Sequence, residues 1–180
     1  LLSGHPEIDP SMVPDFLSRP GIDVTAWENR AYNYGSTFLY VAFLAERFGI
    51  RLLTDLVAEP RNGRAGVDVV LAPIQQDFRT AWAEWAVANF ASADAAYGYD
   101  AIGQRRVTPL VAPRIPFENI GGTVDHQWGT TYVLFRDAGS LEIEFFGEQE
   151  GRYVVQLYAM RNGIGNLEVM GLDGDNRGIA

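Results

Sequence analysis

The first hundred residues carry apolar side chains at helical spacing, and the longest such stretch predicts a helix over 33–48. Almost every side of this helix is apolar, because its charged residues come only at its end, and such a helix is usually buried. Gly49 follows as a left-handed C-terminal cap. We expect one apolar stripe along the helix, formed by Phe38, Val41, Ala42, Ala45 and Phe48.

Three further helices are predicted downstream. A short one covers 50–59 and ends before Pro60, and another covers 67–71. A fourth begins after Asp77, whose carboxylate is suited to accept hydrogen bonds from the first turn. The spacing of its residues places one set of side chains on a face opposite Arg79 and Glu84, namely Phe78, Trp82, Trp85 and Asn89.

Beyond residue 116 the pattern changes to an alternation of apolar and polar residues. Short apolar or alternating runs of this kind predict strands, and glycine-containing pairs between them predict turns. About five short strands at this spacing favour a small antiparallel β-sandwich. The four clearest runs lie at 132–135, 141–145, 153–157 and 167–171, and the turns at Ala138-Gly139, Glu150-Gly151 and Asn162-Gly163.

Composition also divides the chain, near residue 103. Sixteen alanines lie between Ala26 and Ala101, whereas twelve of the nineteen glycines lie at Gly103 or beyond. Alanine favours helices and glycine favours turns. We therefore predict an α+β protein, with an all-helical subdomain over 1–103 followed by a small antiparallel β-sandwich over 104–180. Within the first part, residues 1–31 are predicted to be extended, because they contain Pro6, Pro10, Pro14 and Pro20.

The charges and residue types exclude several classes of protein. The chain of 180 residues has 14 basic and 23 acidic side chains, a net charge of −9, no cysteine and no lysine. The absence of cysteine excludes a disulfide scaffold, a thiolate zinc site and an iron–sulfur cluster. The acidic balance argues against a nucleic-acid partner. No apolar run approaches the roughly 18 residues that a membrane span needs, so we expect no membrane partner.

A zinc site within this chain is not expected. His5 and His126 are the only histidines, and they lie far apart in the sequence. The motif H-E-x-x-H, which places two zinc ligands on one helical face, is absent. We therefore predict that this chain by itself contains no metal ligand set and binds no cofactor.

The string from Tyr32 to Leu39 is the strongest candidate for chemistry. Tyr32 and Tyr34 lie at the start of the predicted long helix, where the helix dipole favours negative charge. A tyrosine in this position can present its hydroxyl group to an oxyanion. In the alternative interpretation, both tyrosines anchor the helix against its neighbours, and Gly35 permits close packing.

Two groups of acidic residues have simpler interpretations. Asp173 and Asp175 are spaced as in a calcium-binding loop, but Arg177 stands where a further oxygen ligand is expected. An ordinary acidic turn is therefore favoured, and calcium binding by the two aspartates stays open. Glu142 and Glu144 alternate with apolar residues, which predicts the solvated outer face of a strand.

The order of segments in the first part resembles the region downstream of the zinc site in gluzincin-type zinc metallopeptidases. The string Tyr32-x-x-Gly35-x-x-x-Leu39 is similar to a helix of that superfamily and continues into an L-A-E-R-F-G ending. The β part resembles the small sandwich appended to some secreted bacterial members. The remaining similar segments are the Leu-rich helix at 52–56, a Gly66-Val67-Asp68 turn before a helix, a helix with Phe78, Trp82, Trp85, Ala88 and Asn89, and Tyr97-Gly98-Tyr99.

The resemblance implies that the chain is the C-terminal part of a secreted, bacterial-type zinc peptidase that acts outside the cell on polypeptide substrates. Zinc, its histidine ligands and the general-base glutamate would belong to an N-terminal catalytic segment. We expect that segment upstream, because residue 1 is Leu and the first methionine is Met12. Tyr32 aligns with the tyrosine that stabilises the tetrahedral oxyanion in the aminopeptidase branch. The isolated chain is predicted to be inactive.

Two other functions stay open at this point. In one, the chain is a non-catalytic module whose sandwich binds a carbohydrate or a polypeptide through exposed aromatic residues such as Trp128. In the other, it belongs to a catalytically dead peptidase homologue that keeps only the fold. An H-E-x-x-H motif in the upstream reading frame would favour the enzyme over the dead homologue.

Overall fold

The computed structural model describes residues 12–92, 94–103, 105–111, 127–136, 142–161 and 164–180. It has an α+β fold, as predicted, with five α-helices and six short strands in this described part. The described residues divide into two compact units. The first contains all the helices together with 105–111 and 127–134, and the second contains the remaining described residues from 135 onward.

The helices agree closely with the apolar periodicity. The predictions over 33–48 and 50–59 and after Asp77 are confirmed, whereas the helix predicted over 67–71 begins earlier. Two 3₁₀ turns lie at Ala72–Ile74 and Asp100–Ile102. The helices are α1 (Met12–Leu17), α2 (Ala31–Phe48), α3 (Arg51–Ala58), α4 (Gly63–Leu71) and α5 (Phe78–Phe90).

Helix α1 corrects the prediction that residues 1–31 are extended throughout. Pro14 is the third residue of α1, and the first four N–H groups of a helix have no partner within it. A proline near this end therefore removes no hydrogen bond. The helix buries Phe16 and Leu17, at 2% and 3% exposure, against the other helices. Residues 1–11, with Pro6 and Pro10, lie outside the described residues.

The buried face of α2 differs from the predicted stripe. Leu39, Phe43 and Leu44 are buried, whereas Val41 is exposed and the other members of the predicted stripe are only partly buried. Because α2 is apolar on most sides, spacing within the helix cannot identify its core side. The packing of α1 and α5 decides it. Gly49 ends the helix with a positive φ of 95° and ψ of 147°, so the predicted left-handed cap is wrong in ψ.

The core of the first unit is formed mainly by aromatic and leucine side chains of α1, α2 and α5. The Phe16 ring stacks on the Trp85 ring with 5.3 Å between centroids. Leu39, Phe43 and Leu71 also belong to this core. Burial of several large side chains at a few kcal/mol each is the main stabilising contribution to such a unit.

The start of α5 is fixed by two carboxylates. Asp77 accepts a hydrogen bond from Thr80 N at 2.7 Å, as its predicted capping role requires. Asp68 reaches from α4 and accepts one from Phe78 N at 2.8 Å. Because Asp68 lies within α4, the prediction of a Gly66-Val67-Asp68 turn before a helix is wrong. Two of the otherwise unpartnered N–H groups of α5 are thereby satisfied.

Segments beyond the predicted boundary at residue 103 pack with the helices. Val107 is 1% exposed, and its N–H donates to Asn89 O at 3.2 Å. The Tyr132 hydroxyl donates to Ala86 O at 2.7 Å. Strands β1 (Leu110–Val111) and β2 (Val133–Leu134) pair in parallel in this same unit.

The second unit contains two antiparallel pairs of strands. Strand β3 (Glu144–Phe146) pairs with β6 (Arg177–Ile179), and β4 (Val155–Arg161) pairs with β5 (Ile164–Met170). Counting the parallel pair of the first unit, the described strands form three two-stranded sheets, so a sandwich is not confirmed. The turn predicted at Asn162-Gly163 lies outside the described residues.

The strand predictions are correct for four of the six strands. Strands β2, β3, β4 and β5 overlap the predicted runs, although their bounds differ by several residues. Strands β1 and β6 were missed, because each is only two or three residues long and neither forms an alternating run. No helix of the described residues is long and apolar enough to cross a membrane.

Candidate functional site

The candidate site consists of residues 26–30, which we call the α2 loop, and the first turn of α2. Asn33 organises this loop, and its side chain is 2% exposed. Asn33 Oδ1 accepts hydrogen bonds from Glu28 N at 3.2 Å and Arg30 N at 3.1 Å, and Asn33 Nδ2 donates to Ala26 O at 2.9 Å. One buried amide therefore satisfies three backbone groups of the loop.

Tyr32 lies in the first turn of α2 beside this loop. Its hydroxyl donates a hydrogen bond of 2.6 Å to Glu28 Oε2. This bond to a carboxylate raises the pKa of Tyr32 above its ordinary value of 10.0. The Arg19 guanidinium lies 5.7 Å from the centre of the tyrosine ring. Tyr32 is thus a neutral, half-buried phenol at neutral pH.

Trp27 of the loop and Tyr34 of the first turn of α2 form an exposed aromatic pair. Their ring centroids are 4.8 Å apart and the rings meet edge to face at 73°. The Tyr34 hydroxyl donates to Asn29 Oδ1 at 2.7 Å. Asn29 has a φ of 57°, a left-handed conformation that asparagine tolerates better than most residues.

Gly35 brings α2 close to α1. A Cβ atom at this position would overlap the carbonyl group of Met12. The structure therefore contains the contacts that the anchoring interpretation of Tyr32 and Tyr34 requires, with both hydroxyls bonded to the α2 loop and Gly35 in close packing. The role of Tyr32 toward an oxyanion stays a prediction.

Tyr99, from the Tyr97-Gly98-Tyr99 segment, belongs to a buried polar network. Trp85 Nε1 donates to the Tyr99 hydroxyl at 3.3 Å, and that hydroxyl donates to Asn89 Oδ1 at 2.7 Å. Burial raises the pKa of Tyr99. These contacts hold residues 97–99 against α5, which is a structural role.

Trp128 is not an exposed residue of a β-sandwich, which corrects the position given to it by the binding-module hypothesis. It is half-buried in the first unit, where its ring lies 4.9 Å from Phe78 and 5.6 Å from Trp82. The Arg64 guanidinium lies 5.4 Å from the centre of the Trp128 ring. Trp128 has a φ of 61°. The residues around Trp128 in the sequence predict neither its contacts with Phe78 and Trp82 nor its positive φ.

Asp173 organises a turn, and the two glutamates lie on the surface at and just before the start of β3. Asp173 Oδ1 accepts hydrogen bonds from Asp175 N and Arg177 N, both at 2.9 Å, and these bonds lower the pKa of Asp173. Glu142 and Glu144 are exposed. Within the described part of the chain, no group of three or more His, Asp or Glu side chains could hold a metal ion. His5 and His126 lie outside it.

An open cavity of about 490 Å³ lies between the end of α2 and residues 92–100. Glu46 accepts hydrogen bonds from Asp100 N at 2.6 Å and Ala101 N at 3.0 Å. Arg47 Nε lies 3.2 Å from Glu84 Oε2. Arg47 Nη1 also donates to Ala96 O at 3.2 Å. Glu46 and Arg47 therefore hold residues 96 and 100–101 against α2.

The comparisons with known proteins leave the family of this chain open. No family model, curated protein or solved structure matches it. The sequence does not identify the α2 loop as a site, because one tryptophan in a short segment belongs to no helical or strand period. The one available signal in the sequence was Asn33, a polar residue at the start of a helix that is predicted to be buried.

Proposed function

We propose that this chain is the C-terminal part of a secreted zinc-dependent peptidase, in which it forms a wall of the substrate cleft. The observation that carries the proposal is the position of Tyr32. Its neutral phenol lies in the first turn of the 18-residue helix α2, with its hydroxyl 2.6 Å from an exposed carboxylate. The order of segments that resembles gluzincin peptidases supports the same function.

Tyr32 would act by donating a hydrogen bond. The tetrahedral oxyanion formed from a peptide carbonyl needs a positioned donor, and the protonated phenol of Tyr32, held in place by Glu28, supplies one. During the reaction the hydroxyl proton turns from the Glu28 carboxylate to the oxyanion. The start of α2 adds the positive end of its dipole.

Zinc ligands do not fit on the described residues, which contain no suitable group of side chains. The sequence has no H-E-x-x-H motif. In this proposal a separate catalytic segment, outside the present sequence, holds the zinc.

The test uses the polypeptide encoded when the reading frame is extended upstream of Leu1. An H-E-x-x-H motif within roughly a hundred residues is expected there. In that polypeptide, Tyr32→Phe should lower kcat/KM for a fluorogenic peptide by about 10²–10³-fold, the usual effect of removing one oxyanion donor. Tyr34→Phe is the matched control, since it removes a neighbouring hydroxyl of the same helix turn, and it should change kcat/KM by less than about twofold.

The outcomes separate the proposed functions. Unchanged kcat/KM in Tyr32→Phe would show that the role of Tyr32 is wrong even if the polypeptide is a peptidase. An upstream sequence without the zinc motif would instead favour a catalytically dead homologue or a binding module. Extracellular localisation is part of the proposal and is checked by following the native polypeptide in culture medium and cells.

A further inference from the structure

The Asn62-Gly63 pair lies at the start of α4, and both residues are exposed to solvent. Asparagine is chemically labile, because the backbone nitrogen of the next residue can attack its side-chain carbonyl carbon. A following glycine makes this attack easiest, since it has no Cβ atom to hinder the approach. Among the asparagines that the structure describes, Asn62 alone precedes a glycine. The pair is therefore where this reaction is chemically most favourable in the described chain.

No hydrogen bond holds the Asn62 side chain in place. An asparagine before the first residue of a helix usually accepts a hydrogen bond from the second or third N–H of that helix. Asn62 makes no such bond, and its amide has no partner among the described residues. By contrast, Asn33 and Asn89 are buried at 2% and 1% exposure, and both of their side chains are hydrogen-bonded. The Asn62 amide is thus free to turn toward the main chain.

The attacking atom, Gly63 N, is also accessible. It is the first N–H group of α4, and the first four N–H groups of a helix have no acceptor within it. No acceptor for it lies elsewhere in the described part of the chain. A Cβ atom built on Gly63 would meet nothing within 4 Å, so the space around this residue is open.

One rotation separates the observed conformation from the reactive one. Asn62 has an extended ψ of 158°, which keeps Gly63 N away from the side-chain carbonyl carbon. Ring closure therefore needs rotation about the Asn62 Cα–C bond. The end of a helix opens at little cost in free energy, and glycine tolerates the backbone conformations that the rotation passes through. Gly63 already has a positive φ of 60°.

We propose that Asn62 is a site of spontaneous deamidation through a succinimide formed with Gly63. Gly63 N forms a bond to Asn62 Cγ, and the side-chain nitrogen leaves as ammonia together with the proton from Gly63 N. Water then opens the ring. Addition at Cγ gives aspartate, whereas addition at the main-chain carbonyl carbon gives isoaspartate. Nothing is oxidised or reduced, and water is the only co-reactant. The inference is independent of the peptidase proposal, because it needs neither zinc nor catalysis.

The two products differ in their effect on α4. Each adds one negative charge at the start of the helix, where the helix dipole favours it, and aspartate is as good a residue as asparagine at this position. Isoaspartate also adds one carbon atom to the main chain, which should disturb the first turn. Because Asp68 of α4 accepts a hydrogen bond from Phe78 N, the disturbance should extend to the start of α5.

The experiment incubates the folded chain beside a capped peptide of residues 60–65 in the same buffer. Proteolysis after glutamate then yields fragments in which Asn62 is the only asparagine, and mass spectrometry follows the replacement of its NH₂ group by OH. Electron-transfer fragmentation distinguishes aspartate from isoaspartate. We expect both products in the folded chain, at a rate within about tenfold of the rate in the peptide, because the helix end opens readily.

The matched controls are a variant and two buried asparagines. Asn62→Gln should give no product at this position, since a glutamine side chain would have to close a larger ring. Asn33 and Asn89 should keep their amides in the folded chain and lose them only in urea. An Asn62 amide that stays intact in the folded chain after the peptide has been converted would overturn the proposal. Equal losses at Asn33, Asn62 and Asn89 in the folded chain would also overturn it, because the reaction would then follow unfolding and not the exposure of α4.

Discussion

Gly35 in α2 faces the backbone carbonyl group of Met12 in α1 so closely that no Cβ atom fits between them. The neighbouring atoms belong to a main chain, which cannot rotate away as the end of a side chain can. The absence of a side chain at Gly35 therefore allows the backbones of α1 and α2 to approach closely near the start of α2.

Gly35→Ala should therefore destabilise the first unit by about 1–3 kcal/mol, the usual cost of overpacking. Urea denaturation followed by circular dichroism measures the effect. Gly21→Ala is the matched control, because a Cβ atom there would meet nothing within 4 Å, and its stability should stay within about 0.5 kcal/mol of wild type. Equal stabilities of the two variants would contradict this packing.

Tyr99→Phe should destabilise the protein by about 1–3 kcal/mol, because it leaves Trp85 Nε1 and Asn89 Oδ1 buried without their partner. Tyr34→Phe removes the same type of bond, from a tyrosine hydroxyl to an asparagine Oδ1, at an exposed position. Water can take the place of the lost hydroxyl at this exposed position, so Tyr34→Phe should change the stability only slightly. Thermal unfolding of both variants tests the difference, and a larger effect at Tyr34 would contradict it.

Glu28→Gln should lower the pKa of Tyr32, because the hydrogen bond to the Glu28 carboxylate is the main cause of its elevation. The folded-state pKa is raised above the unfolded value of 10.0, so this interaction stabilises the fold below pH about 10 and is lost as the pH rises through the folded-state pKa. NMR titration of ring-labelled tyrosine measures the shift. Glu59→Gln, which affects a carboxylate bonded to Arg61, should leave Tyr32 unchanged.

Asp77→Ala should cost about 1 kcal/mol through the loss of the α5 cap. Hydrogen bonding by Thr80 N lowers the pKa of Asp77 below its ordinary value of 3.8. The ionised cap therefore contributes stability above pH about 4 that is lost as the pH falls through the folded-state pKa. Urea denaturation measures the free energy of unfolding of wild type and variant at pH 7 and near pH 2. The difference between the two proteins should be smaller near pH 2, and an equal difference at both pH values would contradict an ionised cap.

The isolated chain should bind no stoichiometric zinc and hydrolyse no peptide. Elemental analysis after zinc loading and gel filtration, together with a fluorogenic peptide assay, measures both. The reason is chemical, since the sequence has two histidines and no cysteine. One tightly held zinc per chain would contradict the proposal that the zinc ligands lie on another segment.

The sequence predicted those helices whose ends or apolar spacing depend on neighbouring residues along the chain. Asp77 predicted the start of α5, and the apolar spacing predicted α2 and α3. Helix α1 is not predicted from the sequence, because proline disfavours a helix at most positions and the sequence alone does not show that Pro14 lies in a first turn. The buried side of α2 was also missed, because it depends on which helices pack against it.

The candidate site was predictable only in part. Tyr32 was identified by its place at the start of a helix, but its bond to Glu28 depends on the path of the α2 loop. That path is set by the buried Asn33 amide, whose three bonds cannot be inferred from residue types alone. Trp128 was expected on a β surface, and its packing on Phe78 and Trp82 joins positions that are distant in sequence.

The burial of Val107 and the bond from Tyr132 to Ala86 have a practical consequence for dividing this chain into parts. A polypeptide cut after Gly103, where the composition changes, would lose both contacts and uncover apolar surface around Asn89 and Phe90. A polypeptide extending through Leu134 retains them. The extent of the first unit is therefore set by two side chains that follow α5, and not by the end of α5 itself.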